Sequence, residues 1–183
     1  MAAASENRLK SRYGGVTLEG EPHALSAWFV VGLRVTMGLV FLGAGLGKVT
    51  GEAFDASGYL MGASGPFAGV FESMAANPAL MDMVNVIVPA TQLLIGVGLL
   101  VGGLVRLAAL GGAMQMSMFY LASWDVAGPL GFANSDFVYL MVFLTIAALG
   151  AGRILGADRY IEQFEVGGEK LIERYPKLRY ILG

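Results

Sequence analysis

The sequence predicts an all-α fold: an integral membrane four-helix bundle with short amphipathic helices in the first outer loop and a C-terminal cytoplasmic amphipathic helix. Three observations predict it. Over half of the 183 residues are apolar and only 14% are charged, a composition outside the ordinary soluble range. Four apolar stretches approach the length a helix needs to cross about 30 Å of hydrocarbon. Lysine and arginine gather on one side of those stretches, the mark of cytoplasmic segments.

Composition also excludes whole classes of chemistry. The chain has no cysteine, which rules out structural disulfides, zinc–thiolate sites and iron–sulfur clusters. Its one histidine, His23, precedes the first span and cannot build a bis-histidine haem site or a facial-triad iron site. No metal site and no covalently bound cofactor are therefore expected. In any electron transfer, the electrons sit on a partner, a bound quinone or a diffusible cofactor. A net charge of −2 argues against nucleic acid as a partner.

Residues 1–25 are polar and lack apolar periodicity, which predicts a mostly disordered cytoplasmic tail. The transmembrane domain covers 26–154, with spans at about 27–49, 83–101, 105–124 and 136–152. In the first span Arg34, Gly38, Phe41, Gly45 and Lys48 share one helical face, and the run from Gly43 to Gly47 contains a GxxxG pair for close helix approach. The outer segment 50–82 is too apolar for a solvated loop and too short to span, so one or two short amphipathic helices are expected there. Gly102-Gly103 and Arg106 mark a tight turn between the second and third spans, which makes them antiparallel neighbours. Asn134 or Ser135 can cap the fourth. Residues 155–183 form a cytoplasmic amphipathic tail divided into two helical pieces by Gly167-Gly168. Of the twelve lysines and arginines, ten lie in the tails or at Arg106, so both termini are placed in the cytoplasm and the protein in the cell membrane as a multi-pass chain.

A rise of about 1.5 Å per residue sorts the polar groups by depth. Arg34 and Gln115 fall at roughly 10–13 Å from the cytoplasmic end, Gln92 and Tyr120 at roughly 20 Å, and Lys48, Asn85, Asp125 and Asp136 at about 28–32 Å. On α-helical spacing Asn85, Pro89, Gln92, Gly96, Leu99, Gly103 and Arg106 share a face, as do Gly111, Gln115, Met118, Ala122 and Asp125. Both faces are expected inside, where polar groups find partners. The ligand-binding candidates are Arg34, Lys48, Gln92, Gln115 and Tyr120. Each also has a structural reading: an interhelical hydrogen bond for the glutamines, snorkelling for Arg34, an aromatic belt with Phe119 and Trp124 for Tyr120, and for Lys48 an interfacial anchor paired with Glu52, Asp82 or Asp125.

Several of these residues occur in an order that resembles a known family. Arg34…Gly38…Gly45…Lys48, Gly58-Tyr59-Leu60, Pro66-Phe67, Gly96-x-x-Leu99…Gly102-Gly103…Arg106 and Gly150-Ala-Gly152-Arg153…Gly156-Ala-Asp158 resemble the DoxX/DoxD family, with a closer likeness to its DoxD-like branch. The likeness covers about residues 27–159. It implies a four-helix membrane protein and, for a few members, a subunit of a thiosulfate:quinone oxidoreductase that oxidises thiosulfate to tetrathionate. The family usually has Glu where this chain has Gln92, and an amide cannot relay a proton.

Two functions follow as expectations. The first is a subunit of a quinone-linked membrane oxidoreductase, with Arg34 and Lys48 as sites for a small anion such as thiosulfate or for a quinone carbonyl. The second is a non-catalytic accessory or assembly subunit of a respiratory complex. The partners implied are the bilayer, a quinone or small anion, another redox subunit, and further copies of the chain. A small-solute transporter is less well supported, since no inverted repeat or broken helix pair is evident.

Overall fold

The computed structural model describes residues 9–13, 16–20, 23, 25–51, 53–124 and 132–182. The N-terminal tail departs from expectation. Leu9–Tyr13 (β1) and Val16–Gly20 (β2) pair antiparallel, with Tyr13 opposite Val16. The signal was Gly14-Gly15 between two short runs, a two-residue hairpin connection. Helical periodicity, the pattern sought there, does not register it. Residues 1–8 of the expected disordered tail lie outside the described residues.

Four long helices follow. They are α1 (Ser26–Thr50), α4 (Pro78–Val101), α5 (Val105–Ala122) and α6 (Ser135–Leu149). Between α1 and α4 the outer segment forms α2 (Ser57–Met61), a 3₁₀ turn at Gly65–Phe67, and α3 (Ala68–Ala75). Helix α4 starts five residues before the expected 83, because the Asn77 side chain accepts hydrogen bonds from the Ala79 and Leu80 amides and Pro78 occupies its first position. Those are the preferred residues for a helix start. Asn134 caps α6 through the Phe137 amide at 3.0 Å. Helices α1 and α4 are long and apolar enough to cross a membrane. Helix α6, with 15 residues, is about 22 Å long; it stops at Gly150 in the left-handed conformation (φ 60°).

Helix α1 packs along α4 and α5 along α6, while α4–α5 and α1–α6 contacts join the two pairs. The first stripe read from the sequence is the buried one. Arg34, Met37, Gly38, Phe41 and Gly45 are the buried residues of α1, and Pro89, Gln92, Gly96 and Leu99 are among those of α4. Helix α5 is rotated from expectation: its buried residues are Val105, Ala109, Gly112, Ala113, Met116 and Ala122, while Met118 is exposed. The reason is Phe143 of α6, whose ring lies where a Cβ of Gly112 would be. Phe143 also meets Phe41 edge to face at 4.7 Å. Outward faces stay apolar, as with Leu94 at 73% exposure and Met114 at 67%, which suits a lipid solvent.

Beyond α6 come a 3₁₀ turn at Ala151–Arg153, α7 (Asp158–Gln163), strands β3 (Glu165–Val166) and β4 (Glu169–Lys170), α8 (Leu171–Arg174) and a 3₁₀ segment Pro176–Tyr180. Gly167 and Gly168 both have positive φ, 68° and 87°, and turn a hairpin instead of merely interrupting a helix. Leu182 is buried and the Ile181 carbonyl accepts from the Leu107 amide, so the chain end returns to the start of α5.

Candidate functional site

Of the sequence-predicted residues, Arg34 lies in a closed knot at the end of the helices where α1 begins and α6 ends, the near end, and Lys48 lines a cavity at the opposite, far end; Gln92, Gln115 and Tyr120 belong to neither.

The near-end knot is built on Arg34, 2% exposed. Its Nη1 donates to the carbonyls of Ala151 and Ile154, and its Nη2 to that of Leu155 at 3.1 Å. These carbonyls follow the end of α6, where α-helical pairing has ended; that of Ala151 also accepts from the Ile154 amide at 3.3 Å. Asp158, fully buried, accepts from the Leu104 and Val105 amides at 2.7 and 3.0 Å and so caps α5. The Ala157 and Asp158 amides in turn donate to the Val101 and Gly102 carbonyls. Gly102 is left-handed (φ 73°), and a Cβ there would lie 2.5 Å from the Gly156 Cα. Glycine is needed at that approach. Arg106 reaches the Ala147 and Arg179 carbonyls. Arg34 thus clamps α1 to the segment after α6, which Asp158 and its neighbouring amide tie in turn to the α4–α5 turn. Asp158, which the sequence reading passed over as part of the tail, was signalled only by its place in the Gly156-Ala-Asp158 pattern.

The glutamines are placed apart from it. Gln92 is buried at 3% exposure and its Oε1 has no hydrogen-bond partner; Gln115 Oε1 is likewise buried and unpartnered. No hydrogen bond among the described residues joins Gln115 to Arg34 or Tyr120 to Gln92. Tyr120 stacks instead in an aromatic group, with ring centroids 5.2 Å from Trp124 and 5.7 Å from Phe137.

At the far end α2 and α3 fold over the helix ends. Leu60 and Phe71 pack with Ala56, Met81 and Ala122, and Ser64 ties the segment down through its amide to the Ala122 carbonyl and its hydroxyl to the Trp124 carbonyl. Under this cover lies a cavity of about 530 Å³ whose polar lining is Lys48, Asp55, Tyr59, Ser123 and Asp136, set among apolar side chains such as Phe54, Phe71 and Phe119. Lys48 Nζ sits 5.4 Å from the Phe54 ring centroid. Its expected pairing with Asp82 does not form, and Glu52 and Asp125 lie outside the described residues. Tyr59 donates to the Phe119 carbonyl at 3.2 Å. Burial, and then the Asp136 charge, push its phenol upward, which keeps it a neutral donor. Asp136 accepts from the Ser123 hydroxyl at 2.8 Å. Asp55 is held below the usual carboxylate range by the Ser57 hydroxyl and amide. Asn85 accepts from the Ala56 amide at 2.9 Å. A cavity of this size, mostly apolar with a few polar groups, is the normal form of a small-molecule site.

Bilayer-length apolar helices, lipid-facing apolar surfaces and a charged group buried against helix-end carbonyls define a helical membrane protein. A family model, DoxX, matches residues 29–124, just over half of the chain, and the protein belongs to the DoxX family. The match includes Arg34, Lys48, Gly96, Gly102 and Arg106 and ends before Asp136 and Asp158. No curated protein and no solved structure matches the chain.

Proposed function

We propose that the chain is a four-span membrane subunit, with both termini cytoplasmic, that binds a quinone in the far-end cavity and works beside a redox partner. The observation that carries this is the cavity itself: an apolar, aromatic chamber of about 530 Å³ bordered by an ammonium, a phenol and two carboxylates. A quinone ring suits the aromatic walls, and the Lys48 ammonium, with three N–H groups, is the donor for its carbonyl oxygen. Thiosulfate suits the cavity less, because one ammonium faces the two carboxylates of Asp55 and Asp136 and burying a dianion beside them is unfavourable. With no cysteine and one histidine in the chain, electrons come from a partner. The DoxD-like branch and the thiosulfate:quinone role remain part of this proposal.

A second reading, an accessory or assembly subunit, is favoured by two residues. Arg34 is engaged by backbone carbonyls, and Gln92 stands where the family resemblance expects a proton-carrying Glu.

Quinone titration of the purified protein in nanodiscs, followed by tryptophan fluorescence, tests the first reading. Saturable quenching is expected, weakened about tenfold by Lys48→Met, as loss of a charged hydrogen bond predicts. Absence of saturable binding would favour the second, for which mild-detergent purification should retain a larger partner.

A further inference from the structure

We propose that the far-end cavity is the head half of a longer site and that the apolar groove between α4 and α5 takes the tail of the same ligand. The ligand class is then an amphiphile with a compact polar head and one long hydrocarbon chain. The inference rests on the quinone reading of the cavity and narrows it to isoprenoid quinones.

Continuity is the first argument. The groove, about 570 Å³, shares Val88, Met118 and Phe119 with the cavity, so the two spaces adjoin at three side chains. Polarity is the second. The charged groups and the phenol all lie at the cavity end, whereas the groove is walled by residues such as Ile95, Leu104, Leu107 and Met114. Of its polar groups, the Thr91 hydroxyl is already committed to the Ile87 carbonyl at 2.7 Å, and the Gln115 amide, with Oε1 unpartnered, is uncharged. With the charged groups and the phenol all at the far end, a bound amphiphile lies with its head there and its tail toward the near end.

Dimensions fit a hydrocarbon chain. From Phe119 to Leu107 the groove follows about 18 Å of helix α5, and its volume of about 570 Å³ is spread along that length, the form a slender chain lying along the helices fills. Small residues make that room. A Cβ on Gly111 would meet Ile95 Cδ1 at 3.5 Å, and one on Gly98 would meet Ala108 Cβ at 3.3 Å, so any longer side chain at these positions would occupy the space.

Bilayer chains are as apolar as the groove, so the tail gains only packing contacts and the expected effect is modest, about five- to tenfold in affinity. The test uses the full chain in zwitterionic nanodiscs and one benzoquinone ring carrying no tail, a decyl tail or a four-isoprene tail, with each affinity referred to the probe concentration within the bilayer. Wild-type protein should bind the tailed probes about five- to tenfold more tightly than the bare ring. Gly111→Leu should abolish that increment. Leu107→Trp, at a half-exposed position, should do the same and covers the case in which Gly111→Leu fails to fold. Bare-ring binding with no increment in wild type, or an increment kept by both variants, would overturn the tail groove alone. No binding of any probe would overturn the quinone reading and the groove with it.

Discussion

Arg34 and Gln92 are both buried polar side chains on the helix faces that the sequence turns inward, yet they differ in kind. Arg34 donates to three carbonyls beyond the end of α6, one of which, that of Ala151, also accepts from the Ile154 amide. Arg34→Gln cannot reach all three, and the variant should lose about 3–5 kcal/mol of stability, the scale for breaking a buried charged network. Thermal unfolding in detergent measures it; a change below about 1 kcal/mol would mean the clamp is dispensable. Gln92 has no hydrogen bond to lose at Oε1. Gln92→Met conserves most of the volume and should be neutral within about 1 kcal/mol, since exchanging an unpaired polar group for an apolar one is nearly free. A larger loss in the same assay would show that the amide holds a ligand or water. The burial of both was legible from helical spacing. That one is bonded and the other is not depends on where the segment after α6 returns, which spacing does not encode.

At the scale of elements, glycine separates packing from pattern. The Gly43–Gly47 pair has the GxxxG spacing, but a Cβ on either meets nothing within 4 Å. Close approach instead uses Gly38 and Gly45, two turns apart on the buried face, against Leu100 and Leu93 of α4, and Gly96 against the Leu42 backbone, where a Cβ would lie 2.5 Å from the Leu42 nitrogen. Gly96→Ala should therefore destabilise by about 1–3 kcal/mol through overpacking, while Gly43→Ala should be neutral or stabilising by up to about 1 kcal/mol. Comparing the two melting temperatures checks this, and equal shifts would contradict the observed helix register. The rotation of α5 has a similar origin. Its small residues Ala109, Gly112 and Ala113 offer α6 a surface into which Phe143 fits, and that contact sets the buried face, leaving Gln115 half-buried at its edge. The polar side chain was the visible signal, but the packing partner decided the face.

At the scale of the whole molecule, the charge distribution makes the strongest statement about orientation. Arg153, Arg159, Lys170, Arg174, Lys177 and Arg179 follow the last long helix, and α2 and α3 carry no lysine or arginine. A four-span protein with cytoplasmic termini should then expose α3 outside and α8 inside. The absence of native cysteine makes the experiment direct. A membrane-impermeant maleimide should label Ser73→Cys in intact cells and Glu173→Cys only after permeabilisation. Labelling of both in intact cells would refute the topology.

Composition, helical periodicity and the positions of basic residues determined the class of this protein, its apolar helices and the inward faces of α1 and α4. These properties are local: each depends on residues a few places apart along the chain. The grouping of the candidate residues was decided only by tertiary structure. Asp158 caps a helix that begins 53 positions earlier in the chain, and Lys48, Asp55, Tyr59 and Asp136 meet at one cavity from three separate segments. Contacts of that separation depend on how helices rotate and return. Here that is governed by where glycine and alanine let a neighbour's backbone or ring come close.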